Sequence, residues 1–348
     1  VKAIREAVEQ AENMAGCEIE TVFVGIAGNH IKGFNSPGIL AINNQEIKQK
    51  DIDAVIQAAQ TVKISENQRI IHVLPQEYMV DDHTGIQNPL GMTGVRLVTN
   101  VHIVTADKTS LHNLLVSCNR AGLEVAEIVL ESVASARTVL SRDEEELGVA
   151  LIDIGGGTTD LAIFCNGTIK HTWELALGGN SLTSDLSVGL RTPMQEAEKL
   201  KYMYGSALSS MVKDNHVVEV PTVGDRKPRK VSQRVMVEIL EARMEEIIQL
   251  VNKEISGSGY RSRLNAGVVI TGGSALLAHV VEMAEQILDM PVRIGYPRGI
   301  EGRTEEVNSP RCTTAVGLLI YGSHVLQGKA KRRSNVIKKF KDVISKIV

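Results

Sequence analysis

Apolar residues recur at helical spacing over residues 1–15 (Val1, Ile4, Ala7, Val8, Ala11, Ala15), and an almost unbroken apolar run follows at 21–28. That switch of period predicts a helix leading into a buried strand. From 28 to 105 the texture changes. A polar, glycine-containing stretch (28–38) is expected to lead into a helix near 45–61, with Asn43 or Asn44 as its cap and Glu46 close to its N-terminus. A strand at 70–74, a turn-rich loop over 81–94 and a strand at 95–104 complete a predicted α+β insert. Helical spacing returns at 110–121, then a short strand at 127–130, a small-residue helix at 132–140 and an acidic linker at 143–147. The second half predicts a hairpin over 149–173 and helices at 193–205 and 233–255. Two short strands with a charged turn lie between those helices (216–231), and a strand at 266–271 leads to a helix at 276–288. Another helix is expected to start at 313.

Three of the apolar strands end in glycine pairs or triplets, and the one at 151–154 is the most informative. Leu151-Ile152-Asp153-Ile154 runs into Gly155-Gly156-Gly157-Thr158-Thr159-Asp160, and a second apolar strand leaves. Three glycines remove every Cβ from the turn, so its backbone N–H groups can converge on an anion, and the hydroxyls of Thr158 and Thr159 add donors. Asp153 at the mouth repels phosphate but suits a hydrated Mg²⁺, which keeps its waters and takes only one or two carboxylates. A plain glycine-rich hairpin explains neither the acid before the glycines nor the threonines after them. Gly178-Gly179-Asn180 opens a further helix, a ready anion site. Gly272-Gly273-Ser274 repeats the arrangement.

Composition narrows the options. The 348 residues are enough for two or more domains, and 43% hydrophobic against 23% charged residues predicts an ample core. Only 3% are aromatic, which argues against base-stacking platforms for single-stranded nucleic acid. Four scattered cysteines without a CxxC, and nine histidines without metal-ligand spacing, predict a reducing compartment and no zinc site. No secretory leader opens the chain and no run of ~18 apolar residues occurs, so no bilayer-spanning segment is expected. The net charge of −3 is uneven: from Lys329 onward eight Lys/Arg stand against one Asp, a local +7 on a remainder of −10. A basic tail on an acidic body implies a partner of its own.

That tail is a second strong pattern. Val336, Ile337, Phe340, Val343, Ile344 and Ile347, with Val348, fall on one helical face, while Lys338, Lys339, Lys341 and Lys346 take the other. A helix this short is marginal in water, and a basic amphipathic helix lies in the plane of an anionic membrane. A terminal helix packed on the body is the alternative; the polar tether before it and the excess of lysine disfavour that.

The glycine motifs together resemble the actin/DnaK/sugar-kinase ATPase superfamily, in which two related α/β lobes clasp a nucleotide. Residues 153–160 look like its second phosphate loop, 268–277 its adenosine motif, and 130–140 and 312–322 its two connecting helices. Within that superfamily the chain is most similar to the FtsA family of bacterial cell-division proteins. The segments at 72–78, 88–96, 148–160, 196–201 and 292–295 carry the likeness, which runs over nearly the whole chain. The resemblance implies an actin-like fold: two lobes of ribonuclease-H-like topology with an inserted α+β subdomain, called 1C. It divides the chain into 1–27 with 106–148 (first lobe, 1A), 28–105 (1C), 149–192 with 266–326 (second lobe core, 2A) and 193–265 (2B). A tether (327–334) and the membrane-targeting helix (335–348) follow.

By the same resemblance, Gly155, Gly156, Gly157, Thr158 and Thr159 would hold the β/γ-phosphates of ATP, with Asp153 holding Mg²⁺ through water. Gly178, Gly179 and Asn180 would lie beside the phosphates, Glu196 and Lys199 would contact ribose and adenine, and Gly272, Gly273 and Ser274 would support the adenosine. Glu131 matches a glutamate that orients attacking water in DnaK-type relatives; a plain strand-end glutamate is the equal alternative, so at most weak ATPase activity is implied. The chain opens directly on a helix with no initiator Met. The family's first phosphate loop precedes that helix, so half of the clamp is expected to lie upstream. The implied role is a nucleotide-regulated scaffold at the cytoplasmic face of the inner membrane at the division septum. It would polymerise with itself, tie the FtsZ polymer to an anionic membrane surface, and recruit other division proteins through 1C. The face for FtsZ would lie within 193–265, around Arg243 and Glu246. Competing readings are a pilus-assembly homologue of the PilM kind, which the basic helix disfavours, a sugar kinase, for which no acceptor pocket is evident, and a chaperone, for which no substrate domain follows. Nucleic-acid binding is not expected, because basic charge is confined to the amphipathic segment.

Overall fold

The computed structural model describes residues 1–213, 216–222, 227–301 and 304–327; the tether from 328 and the amphipathic segment 335–348 lie outside the described residues. Helix α1 (Lys2–Ala15) stops at Gly16, whose left-handed backbone closes the last turn with an N–H to the Glu12 carbonyl. Strand β1 (Thr21–Ile26) follows. The chain then builds β2 (Lys32–Glu46), α2 (Gln49–Ala59), β3 (Gln68–Val80), β4 (His83–Ile86) and β5 (Thr93–Asp107). These form one antiparallel sheet in the order β2-β5-β3-β4.

Polarity misleads at the start of this insert. The stretch at 28–38 is mostly strand rather than loop, and the helix begins at Gln49 rather than near 45. Pairing decides the matter: β2 runs against β5 from Lys32↔Thr105 to Ala41↔Arg96, so its polar backbone is satisfied by the ladder whatever its side chains are. The Asp51 carboxylate accepts from the Lys48 N–H and so caps α2. The turn-rich 81–94 holds the short strand β4, entered through Asp81 at φ 53°.

Helix α3 (Lys108–Arg120) is capped by the Asp107 carboxylate, which accepts from the Thr109 and Ser110 N–H groups. Strand β6 (Glu124–Leu130) then pairs in parallel with β1, and α4 (Glu131–Val139) carries a run of small buried residues. The expected acidic linker is instead helix α5 (Arg142–Leu147). Ser141 and Glu144 form a reciprocal capping box that offsets three acids in one turn, which also sit well at a helix N-terminus.

The second half is built on a five-stranded sheet, ordered β13-β12-β7-β8-β9. Its members are β7 (Val149–Ile154), β8 (Thr159–Cys165), β9 (Thr168–Leu175), β12 (Val268–Thr271) and β13 (Val292–Ile294). β7 and β8 are buried at every position, the mark of a central pair covered on both faces. One face is covered by α6 (Gly179–Leu190), α8 (Gln233–Gly257) and α9 (Val280–Leu288), which share one core with Ile152, Ile154, Leu161 and Ile163. The other face packs Leu151, Ala162 and Val269 against Leu130, Val133 and Val139 of the first lobe. Helix α7 (Met194–Tyr204) and the hairpin β10 (Val217–Val220)–β11 (Arg229–Ser232) join the same core through Ala197, Leu200, Val218 and Val220. α9 starts at Val280, four residues later than the pattern predicts, because Gly273–Leu276 makes a 3₁₀ turn first. Residues 313–327 are helical.

Candidate functional site

The three glycine motifs meet at one place. Strand β7 ends at Ile154, and the loop to β8 folds onto the start of α6: the Gly179 and Asn180 N–H groups donate to the Gly155 and Gly156 carbonyls at 2.9 and 2.7 Å. The Ser274 hydroxyl donates to the same Gly155 carbonyl at 3.3 Å, tying in the third motif. The loop's carbonyls are thus held from behind. Among the described residues no backbone acceptor takes the N–H groups of Gly156, Gly157 or Thr158.

Two kinds of glycine can be separated here. Gly272 is required by the fold: its φ is 87°, and a Cβ there would sit 2.4 Å from Asp153 Oδ1 and 2.5 Å from the Ile154 carbonyl. Gly157 is not. A Cβ on it would meet no protein atom within 4 Å, and one on Gly156 only Asn180 at 3.6 Å. Packing leaves these two positions free to be larger, so what they keep clear is a space beside the backbone. Beside Gly156 that space is a cavity of about 1000 Å³, bounded by Gly155, Gly156 and Thr158, by Gly179 and Asn180, and by Gly272, Gly273 and Ser274; Gly157 is exposed outside its lining.

Acids gather on one wall. The Asp153 carboxylate is buried, and its Oδ2 accepts from the Ser135 hydroxyl at 2.7 Å and the Thr314 hydroxyl at 3.2 Å. Burial, with Asp160 nearby, pushes it up to about 6 in spite of these two donors. Glu131, the first residue of α4, is pushed up to about 7 by burial and by the charges of Asp160 and Asp153. Asp160 on β8 and Glu174 on β9 face each other across the ladder. Burial raises both, Glu174 further, so the pair keeps a proton that Glu174 holds toward Asp160. Asp160 Oδ1 and Glu174 Oε1 are buried without a hydrogen-bond partner among the described residues. No three ligating side chains among those residues converge closely enough to bind a metal directly. The donor set therefore fits a cation that keeps its own waters better than a closed cage.

Comparison with known proteins decides the family. A family model described as "Cell division protein FtsA" matches residues 150–317, and one described as "SHS2 domain inserted in FTSA" matches 28–105. The cell division protein FtsA of Pseudomonas aeruginosa is 47% identical over 322 residues, covering 92% of this chain and 77% of that protein. The chain belongs to the FtsA family. FtsA of Neisseria meningitidis serogroup B is 44% identical (96% of this chain, 81% of that one), and FtsA of Escherichia coli (strain K12) 39% identical (97% and 82%). Among solved structures the chain resembles the PilM-PilN type IV pilus biogenesis complex, with a TM-score of 0.64 at 14% identity over 92% of this chain and 84% of that one. MreB5 of Spiroplasma citri bound to ADP follows, with a TM-score of 0.51 at 22% identity (65% and 68%). These two likenesses establish the actin-like fold; PilM is a neighbour in fold alone, and the division-protein reading stands over the pilus one.

Within this FtsA-family site, the structure sorts the residues that the sequence nominated. Glu131, Asp153, Gly155, Gly156, Thr158, Gly179, Asn180, Lys199, Gly272, Gly273 and Ser274 all line the cavity. Thr159 is fully buried, and its hydroxyl donates to the Leu177 carbonyl at 2.8 Å, so it braces the loop. Gly178 stands behind the loop, against the Gly155 and Gly156 carbonyls. Glu196 lies outside the lining and pairs with Lys199 at 2.7 Å. The sequence reading missed Glu198, Lys201 and Tyr202, which line the cavity one turn away. Lys201 Nζ donates to the Gly179 carbonyl at 2.9 Å and to the Thr183 hydroxyl at 2.7 Å, and pairs with Glu198 at 2.7 Å. The signal was present: 196–201 holds two acids followed by two lysines, but only the helix phase says which pair faces the glycines. Ser135 and Thr314 were missed because nothing local in either connecting helix points at Asp153.

Proposed function

We propose that the cavity binds ATP, with the unpaired N–H groups of Gly156, Gly157 and Thr158 on the phosphates and the adenosine toward Gly272, Gly273 and Ser274. Asp153 would hold Mg²⁺ through water, and Asp160 and Glu174 have the orphaned oxygens to orient such waters. The cation supplies charge neutralisation on the phosphates. Glu131, pushed up to about 7 on the cavity wall, would accept a proton from an attacking water. Nucleotide between the lobes biases their closure and so the contacts between copies of the chain. The chain then acts as a polymerising scaffold for division, linking FtsZ to the cytoplasmic face of the membrane through 335–348 and other division proteins through the insert 28–105. The FtsZ face would include Arg243, which pairs with Asp185 and Glu246 at the surface of α8. Avidity along a filament makes many weak membrane contacts bind firmly.

The observation that carries this reading is the cavity kept clear beside Gly156, a glycine on its wall where packing does not need one. Gly156→Val is accordingly expected to leave the folded protein within about 0.5 kcal/mol of the parent while lowering ATP affinity at least about tenfold; calorimetric titration beside thermal melting checks both. Equal affinities in the two proteins would sink the assignment. For the tail, Phe340→Glu with Ile344→Glu is expected to abolish pelleting with anionic liposomes in the presence of nucleotide, and undiminished pelleting would refute the membrane role.

A further inference from the structure

The insert touches both lobes: Ile31 and Val104 share an apolar core with Leu130 and Ile169, and buried polar groups cross the same contact. On the first-lobe side, the Leu130 N–H donates to His72 Nε2 at 2.9 Å. His72 is on β3 and 6% exposed, and Leu130 is the residue directly before Glu131 of the cavity wall. On the second-lobe side the partner is β9, the outer strand of the five-stranded sheet. Three alternate residues of β9, Lys170, Thr172 and Glu174, are all buried, as one face of a strand under a cover must be. Lys170 pairs with Glu77 of β3 at 2.8 Å. The Thr172 hydroxyl meets His102 Nε2 of β5 at 2.9 Å. Glu174, two residues on, faces Asp160 of the cavity and accepts from the Gly28 N–H at 3.3 Å.

The hydrogen bonds fix the sense of the second joint. The Asn35 amide donates to the Lys170 carbonyl at 2.9 Å, so its Oδ1 is an acceptor, and His102 Nδ1 donates to it at 2.8 Å. His102 Nε2 is then the acceptor for Thr172. Both histidines must stay neutral to do this, and burial lowers both, His102 to about 3. The fit is tight: a Cβ on Gly33 would stand 2.2 Å from the Thr172 hydroxyl and 2.8 Å from His102 Nε2. A surface that merely rested on the lobes would need neither two buried imidazoles nor a glycine between them.

We propose that the insert is a strap across the two lobes, with His72 and His102 as positioning residues on the strand ends that carry Glu131 and Glu174. Movement of the lobes around a ligand must then strain or relax the strap, and whatever docks on the insert changes ligand affinity by the same factor. The inference rests on nucleotide binding in the cavity.

The test uses the full chain with Mg²⁺ and ADP or a non-hydrolysable ATP analogue. Affinity is measured by titration, and backbone hydrogen exchange is followed over 32–38 and 99–105. In the unsubstituted chain nucleotide is expected to slow exchange in these segments at least about fivefold. Thr172→Val is nearly isosteric and removes only the donor; His72→Leu removes the acceptor, and His72→Gln restores one at the Nε2 position. Thr172→Val and His72→Leu are expected to bind nucleotide and lose the insert's response, while His72→Gln keeps it. A response that survives both removals overturns the strap, as does nucleotide binding with no response in the unsubstituted chain. Absence of binding overturns the functional reading itself and this inference with it. Should His72→Leu fail to fold, Thr172→Val decides alone.

Discussion

Asp153 shows how a single side chain is set by what surrounds it. Its carboxylate ends a strand buried at every position, so ionising it without a cation is unfavourable and burial lifts it to about 6. A carboxyl raised in the folded state stabilises below its unfolded value and loses that contribution as the pH rises through about 6. Asp153→Asn is therefore expected to stabilise the ligand-free protein by about 2 kcal/mol near pH 8, with the gain fading as the pH falls toward about 4. Urea unfolding of both proteins across that range checks it. The comparison has to be with the parent at each pH, because His102 works in the opposite sense. Held near 3 by burial, it stabilises above the 6.5 of a free imidazole, and that contribution fades below it.

At the scale of elements, the short helix α5 is held by one well-formed pair. Arg293 on β13 donates from Nε and Nη2 to the two Glu144 oxygens at 2.6 and 2.7 Å, and from Nη2 to the Val139 carbonyl at 2.8 Å. Partial burial pushes Glu144 up, but the hydrogen bonds from Arg293 and Ser141 outweigh it and hold the group near 2. Its contribution is present above the usual 4.5 and is lost as the pH falls through about 2. Glu144→Gln is expected to cost about 1 kcal/mol at neutral pH, a value kept small because solvent screens a partly exposed pair, and nothing at about pH 2. A cost that did not change with pH would mean that α5 is held by its capping box alone. The acids at 143–147 read as a linker precisely where this pair and that box make a helix, since neither Arg293 nor the sheet that carries it is near in sequence.

For the whole molecule, one cavity joins Glu131 of the first lobe to residues from β7, α6, α7 and the 3₁₀ turn after β12 in the second, so a ligand there binds the assembled lobes and not their parts. Nucleotide at ~100 times its dissociation constant should add about 2.7 kcal/mol and raise the melting temperature by about 4 °C for a chain of this size. Scanning calorimetry with and without ATP and Mg²⁺ reads it, and an unmoved transition would count against the cavity as the binding site.

Local periodicity was sufficient to determine most of the main elements and the α+β insert, and the glycine-ended strands supplied the motifs whose resemblance to a known superfamily implied the actin-like class. Those are properties of neighbours along the chain: a 3.6- or 2-residue period, and bends that need a missing Cβ. Tertiary structure alone decided that the polar segment after β1 is a strand, because its ladder partner lies some sixty residues away in β5. It also decided that Lys201 rather than Glu196 faces the glycines. The same holds for Ser135 and Thr314 on Asp153, and for His72 and His102 where they meet the two lobes. Each of these depends on which distant group fills a hydrogen bond that burial makes costly to leave open, and a linear chain does not say which group that will be.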